Sequence, residues 1–138
     1  MIRIVIAAIV VLGLLSLSCG EGETDPTLVN VWLRWTATGD DGDQGCAMTY
    51  QLCISSVPLS YPINTNGKAL EAWPVTVCAG LPDSVEVKGL TADQAYWFTL
   101  RVQDDGGNWS GWSNIITRTM LDVLAPATIE DLQFADGQ

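Results

Sequence analysis

Acidic side chains in two glycine-rich segments are the strongest candidates for chemistry in this chain. Asp40, Asp41 and Asp43 lie in the segment TGDDGDQG, and Asp104 and Asp105 open the segment DDGGNWSG. Carboxylate oxygens are the ligands that Ca²⁺ prefers, so five carboxylates in two adjacent loops predict a calcium site. No bidentate glutamate follows at the usual spacing. The alternative is that Asp and Gly serve here only as turn formers.

Tryptophans beside these acids indicate a second kind of site. Trp109 and Trp112 flank the second acidic segment, and Trp97 lies on the predicted outer face of a strand. Exposed aromatic rings beside polar loops commonly stack on sugars or hold a protein partner. Trp97, Trp109 and Trp112 are therefore predicted to bind a glycan or a protein. The alternative is that they pack on their own loop and on neighbouring strands.

The composition argues against several functions. The chain has no histidine, which removes the usual general base and most zinc sites. It carries no GxSxG, HExxH or phosphate-binding loop, and we therefore expect no catalysis. Six basic residues against 16 acidic ones give a net charge of −10, which argues against nucleic-acid binding.

The N-terminus has the pattern of an export signal. Arg3 precedes an apolar run at 4–15, which is too short for a comfortable membrane span, and Cys19 follows. This arrangement resembles the lipobox of bacterial lipoproteins, although Ser16 stands where leucine is usual. The resemblance implies that 1–18 is a signal peptide, that Cys19 is lipidated and anchors the protein to a membrane, and that 19–27 is a polar tether. An ordinary signal peptide of a secreted protein is the alternative.

The chain from residue 28 onward consists of short alternating runs separated by Gly, Pro, Asn and Asp clusters. This pattern is typical of an antiparallel β-sandwich. On the second strand, alternation places Met48 inward and Cys53 outward. The predicted strands cover residues 28–36, 47–55, 72–78, 84–88, 95–103 and 113–119.

Several residues carry a resemblance to fibronectin type III modules over 28–120. Trp35 matches the core tryptophan, Tyr50 the aromatic of the next strand, and Leu90 and Tyr96 in GLTADQAYWFTLRV the leucine and the corner tyrosine. The segment GNWSGWSN is similar to that family's last turn. The resemblance implies an immunoglobulin-like sandwich whose first strand is short or missing. Trp35 would fill the space between the sheets, and the Tyr96 hydroxyl would bond to backbone in the preceding loop.

The same resemblance assigns the ends of the domain. Residues 121–138 look like a linker and the possible first strand of a following module. Either the chain is a fragment of a longer protein, which we favour, or this tail donates a strand to another molecule. The first and last strands of such a sandwich run in the same direction, so the tail does not readily fold back into its own domain. The two acidic loops are expected at one pole, on the side of the membrane anchor.

The remaining cysteines are interpreted as structural. An exported protein permits disulfides, and Cys46, Cys53 and Cys78 allow one pair and one free thiol. Cys78 could pair with Cys46 or with Cys53 and so hold the long connection between two strands.

These features predict a non-catalytic cell-envelope lipoprotein whose module is a spacer or binds protein or carbohydrate. Gly20 after the cysteine favours the outer membrane. The alternatives are an N-terminal accessory fragment of a larger secreted hydrolase or multi-module surface protein, and a calcium-dependent carbohydrate binder.

Overall fold

A computed structural model describes residues 28–122, Glu130 and the backbone of Val5–Ala7. These residues form strands only: β1 (Val5–Ala7), β2 (Leu28–Thr36), β3 (Thr49–Ser55), β4 (Ala69–Pro74), β5 (Pro82–Thr91), β6 (Ala95–Gln103) and β7 (Ile116–Thr119). Cys19 and the tether lie outside the described residues, as does nearly all of the tail. Of the predicted signal peptide, only the three residues of β1 are described.

The strands form two sheets. β2 and β5 are antiparallel, and β1 adds to the other edge of β5 in parallel. The second sheet is antiparallel throughout and has the order β4-β3-β6-β7. The prediction of an all-β fold with two layers is confirmed.

The core lies between the sheets, and the period-two alternation of apolar side chains builds it. Val31 and Leu33 on β2 are buried, whereas Asn30 and Arg34 between and beside them are exposed, as predicted. The fully buried side chains come from both layers. The largest are Tyr50, Phe98, Leu52, Leu90, Val85 and Val87.

Strand boundaries agree with the sequence where alternation is strong and differ where it is weak. β2 and β6 have the predicted bounds, but β4 begins at Ala69 instead of residue 72 and ends at Pro74, which has no N–H for the ladder. β7 begins at Ile116 instead of residue 113. There the Ser113 hydroxyl, instead of a backbone carbonyl, accepts a hydrogen bond from the Leu100 amide at 3.0 Å.

Two orientations predicted on the second strand are wrong. Met48 was expected inward but is 54% exposed, because β3 begins one residue later and the alternation does not extend to it. Cys53 was expected outward but is fully buried. The outer face of this sheet is covered, since the Tyr61 hydroxyl from the β3–β4 connection donates a hydrogen bond to the Ser113 carbonyl on the far side.

The structure selects one of the two open cysteine pairings. Cys46 and Cys78 form a disulfide with their Cα atoms 4.2 Å apart, and Cys53 is a free thiol. Burial raises the pKa of the Cys53 thiol, while Lys68 acts weakly in the opposite direction. Cys53 is therefore an inert part of the packing at neutral pH.

The disulfide lies in a region that closes one side of the sandwich. We call residues 75–81, which lead from β4 to β5, the closed flank. Ala37 donates to the Leu81 carbonyl at 2.8 Å and accepts from the Gly80 amide at 2.9 Å, and the Ala79 amide donates to the Gly45 carbonyl at 3.0 Å. Backbone bonds and the disulfide thus tie this segment to both layers.

Candidate ligand-binding surface

Two loops meet at one end of the sandwich, which we call the loop pole: residues 37–48 between β2 and β3, and residues 104–109 after β6. The Asp105 amide donates a hydrogen bond to Oδ1 of Asp40 at 2.9 Å, so the two acidic segments are adjacent, as predicted. A cavity of about 400 Å³ opens between them. It is lined by both loops, including Asp40, Asp43, Asp104, Asn108 and Trp109.

The predicted orientation of this pole is wrong. Leu28 at the start of β2 pairs with Thr91, and Thr36 at its end pairs with Pro82. The first loop of the pole follows Thr36, so the loop pole lies a full strand length, about 27 Å, from Leu28. The expectation rested on a first strand preceding β2. Without such a strand the domain begins at the opposite end, and the loop pole points away from the tether.

A tight turn gives the first loop its shape. The Gly39 amide donates to the Gly42 carbonyl at 2.8 Å, and the Asp40 amide donates to the Gln44 carbonyl at 2.7 Å. A Cβ on Gly39 would lie 1.9 Å from that Gln44 oxygen, so only glycine fits there. Gly42 has a φ of +66°, which glycine adopts without strain. These glycines hold Asp40 against the second loop.

The second loop is closed by Asp104. Its carboxylate accepts hydrogen bonds from the Asn108 amide at 2.7 Å and from the Asn108 side chain at 2.8 Å. These bonds stabilise the ionised form and hold the pKa of Asp104 below its ordinary value. Asp104 therefore serves the turn, which is the structural role considered as the alternative to metal binding.

The five acids do not form a ready calcium site. Within residues 28–122 and Glu130, no three acidic or cysteine side chains converge as metal ligands. Asp40 and Asp104 already accept hydrogen bonds from their own loops, and Asp41 and Asp43 are exposed. The calcium hypothesis for Asp40, Asp41, Asp43, Asp104 and Asp105 thus stays a prediction that would require these side chains to rearrange.

The predicted tryptophans are divided between two places. Arg101 on β6 lies between two indole rings, with its guanidinium carbon 4.4 Å from the Trp109 ring centroid and 4.5 Å from that of Trp112. Trp97 lies four residues earlier on β6, about 13 Å along the strand. The three rings therefore do not form one stacking platform.

We call the set Trp109, Arg101 and Trp112 the Trp–Arg–Trp stack. Gln51 on the neighbouring strand accepts two hydrogen bonds from the Arg101 guanidinium, at 2.9 and 2.6 Å. A planar cation held between two aromatic faces and fixed in its plane by an amide is a rigid arrangement. The stack fastens the segment after β6 to the outer face of the sheet.

Two serines extend this attachment. The Ser110 hydroxyl accepts a hydrogen bond from the Val102 amide at 3.0 Å, and the Ser113 hydroxyl does the same for Leu100. The sequence pattern W-S-G-W-S repeats Trp and Ser at a spacing of three, opposite an arginine in β6. Sequence reasoning singled out the rings but missed Arg101 and the serines, for which that repeat was the available signal.

A second concave surface lies on the side of the sandwich opposite the closed flank. We call it the flank groove: about 430 Å³ between β2, an edge strand in the described sheet, and residues 110–116. Leu33, Leu52 and Leu100 are among its apolar lining residues, and Ile116 at its border is 46% exposed. Arg34 and Arg101 also line it, and no acidic residue does.

The four residues predicted to be structural lie in or against the core. Leu90 and Tyr50 are buried, and Trp35 packs edge-on against Tyr50 with ring centroids 5.0 Å apart. The Tyr96 hydroxyl accepts a hydrogen bond from the Thr91 amide at 3.2 Å, which is the backbone bond expected of it. Burial raises the pKa of Tyr50, an effect that the Trp35 indole opposes and the Asp83 carboxylate reinforces.

Comparisons with known proteins do not place the chain in a family. No family model, no curated protein and no solved structure matches it. The described residues contain no helix, and hence none long and apolar enough to cross a membrane.

Proposed function

We propose that the chain is a non-catalytic binding module of a bacterial cell-envelope lipoprotein, with a fibronectin type III-like sandwich anchored through Cys19. The strand order β5-β2 in one layer and β4-β3-β6-β7 in the other supports this topology with its first strand missing. The hydroxyl bond of Tyr96 and the interlayer position of Trp35 also support it.

The observation that carries a binding role is the cavity at the loop pole. Its walls present carboxylate oxygens, the Asn108 amide and the edge of Trp109, which is 36% exposed. Carboxylates accept hydrogen bonds from hydroxyl groups, and an indole offers an apolar face to a sugar ring. The ligand class that this lining favours is a neutral carbohydrate, because the net charge of −10 repels anions.

The position of the pole suits this function. With the tether attached before Leu28, the cavity lies at the far end of the domain from the membrane. A ligand could then reach it without passing between protein and bilayer.

Titration of intrinsic tryptophan fluorescence with a panel of neutral glycans, with and without Ca²⁺, tests the binding role. We expect a saturable change in wild type that Asp43→Asn weakens at least tenfold. Glu71→Gln, on β4 and outside the cavity, is the matched control and should titrate like wild type. Silence across the panel would contradict carbohydrate binding, and a response only with Ca²⁺ would favour the calcium hypothesis.

Cell fractionation tests the anchor separately. Cys19→Ala should move the protein from the membrane fraction to the soluble envelope fraction, since stable anchoring depends on the attached acyl chains. Retention of the variant in the membrane fraction would overturn the lipoprotein assignment and leave the binding role to be judged on the titration alone.

A further inference from the structure

The flank groove has the features of a site for an added β-strand. β2 is nine residues long and pairs on one side with β5; among the described strands, none pairs with its other edge. A free strand edge presents unpaired N–H and C=O groups that another extended segment can satisfy. Beside that edge the groove exposes apolar side chains of both layers, so an incoming strand would gain backbone bonds and apolar burial together.

The chain itself contains a segment that matches the groove. Residues 131–135 read DLQFA, in which Leu132 and Phe134 alternate with Asp131 and Gln133. This is the period-two pattern of a strand with one apolar face. On the groove side, Leu33 and Trp35 point inward from β2. An antiparallel pairing that sets Gln133 beside Arg34 would place Leu132 and Phe134 over the same interior.

Charge favours the same occupant. Residues 123–138 contain Glu130, Asp131 and Asp136 and no basic residue. The groove contains Arg34 and Arg101 and no acidic residue, although the chain as a whole has an excess of ten negative charges. The groove is thus a local basic surface facing an acidic tail, an arrangement that favours association of the two.

The direction of the strands indicates which copy of the tail fits. β7 runs towards the end of the sandwich at which Leu28 lies, and Met120 bonds there to the backbone of the β5–β6 turn. A strand antiparallel to β2 must enter the groove from the loop pole, at the opposite end. The tail leaves its own domain at the wrong end for this, whereas the tail of a neighbouring molecule can enter from the loop pole.

We propose that the C-terminal segment 128–136 of one molecule adds as an antiparallel strand to β2 of a second copy and fills its flank groove. Reciprocal exchange gives a closed dimer, and one-way donation gives a linear chain of copies. This inference rests on the two-sheet architecture and is independent of the lipid anchor and of the loop-pole cavity.

Cysteine cross-linking between two differently marked copies tests the proposal in the full chain, with Cys19→Ser as background. One copy carries Arg34→Cys and the other carries Gln133→Cys, and the two are mixed and oxidised. We expect a cross-linked heterodimer as the main product. Asn30→Cys with Gln133→Cys is the matched control, because Asn30 is also exposed on β2 but lies about 13 Å further along the strand, and it should cross-link at least tenfold less.

The double variant Arg34→Cys/Gln133→Cys in one chain separates the alternatives. A cross-linked monomer in dilute solution would mean that the tail fills its own groove, which would overturn exchange between copies. Absence of any cross-link would overturn the strand addition itself.

Sedimentation velocity gives an independent result. Wild type should sediment as a dimer or larger species, and Leu132→Asp/Phe134→Asp should sediment as a monomer with unchanged near-ultraviolet circular dichroism. Both substitutions lie outside residues 28–122, so the core contacts of the sandwich remain. Monomeric wild type at concentrations up to 100-fold above those of the cross-linking experiment would contradict the proposal.

Discussion

The two sides of the sandwich solve the same problem in different ways. On the closed flank, residues 75–81 pass from β4 to β5 and are tied down by backbone bonds and the Cys46–Cys78 disulfide. On the other side, the edges of β2 and β7 leave a groove of about 430 Å³ with apolar residues at its floor. The closed flank uses a covalent bond and local chain to cover the core. The open side leaves part of the core accessible to a partner.

The largest effect is expected beside the closed flank. Trp73→Ala removes a buried ring that packs on both Trp35 and Tyr50, with centroids 6.2 and 5.7 Å apart. Deletion of a large buried aromatic typically costs about 3–5 kcal/mol in the free energy of unfolding, to be measured by urea denaturation. Leu70→Ala on the same strand is the control: its side chain is 42% exposed, and a loss as large as that of Trp73→Ala would contradict this account.

Loss of the disulfide should come next. The sequence separation of Cys46 and Cys78 is 32, for which the loop-entropy model gives a stabilisation of about 3–4 kcal/mol. We expect Cys46→Ser/Cys78→Ser to lower the free energy of unfolding by about that amount. Cys53→Ala keeps the disulfide and should lose less. Equal stability of the double serine variant and wild type would mean that the backbone bonds alone close this flank.

The Trp–Arg–Trp stack borders the open side and should matter less. Arg101→Lys replaces a planar cation held between two rings by a compact ammonium that cannot match both hydrogen bonds to Gln51. We expect a loss of about 1–2 kcal/mol, the sum of two partly exposed cation–π contacts and one hydrogen bond. Arg34→Lys on exposed β2 is the matched control, with an expected change below about 0.5 kcal/mol. Equal losses in the two variants would count against the stack.

The smallest effect is a pH dependence at the loop pole. Hydrogen bonds lower the pKa of Asp104 in the folded protein, so its stabilising contribution is present above the pKa of the unfolded chain and is lost as the pH falls through the lower, folded value. Below about pH 4 the Tm of wild type should therefore fall more steeply than that of Asp104→Asn, as followed by circular dichroism. Parallel Tm profiles of the two proteins would show that this turn makes no ionisation-linked contribution.

The sequence predicted the parts of the fold that depend on local alternation. The bounds of β2 and β6 and the inward faces of both strands follow from period-two patterns of large apolar residues. Met48 and Cys53 were misplaced for physical reasons that alternation does not contain. Met48 precedes its strand, and Cys53 is covered by a distant connection that Tyr61 holds against Ser113.

The candidate sites show the same limit. Sequence predicted that the acidic loops share a pole, because the order of the strands determines which loops meet. It did not predict that Asp40 and Asp104 would be engaged by backbone amides, since that depends on the turns of both loops. The flank groove was also missed, because it is formed by residues from β2, β6 and the segment after β6 that no single sequence window contains.

Hydrogen exchange at single-residue resolution tests most directly the claim that one side of the sandwich is closed by its own chain and the other by a partner's strand. The measurement compares wild type with Leu132→Asp/Phe134→Asp under conditions where wild type associates. The account predicts that amides of β2 directed away from β5 are protected in wild type and exchange rapidly in the variant, while Ala79 and Gly80 keep their protection in both. Protection of the outer β2 amides that is the same in both proteins, whether high or low, would contradict it.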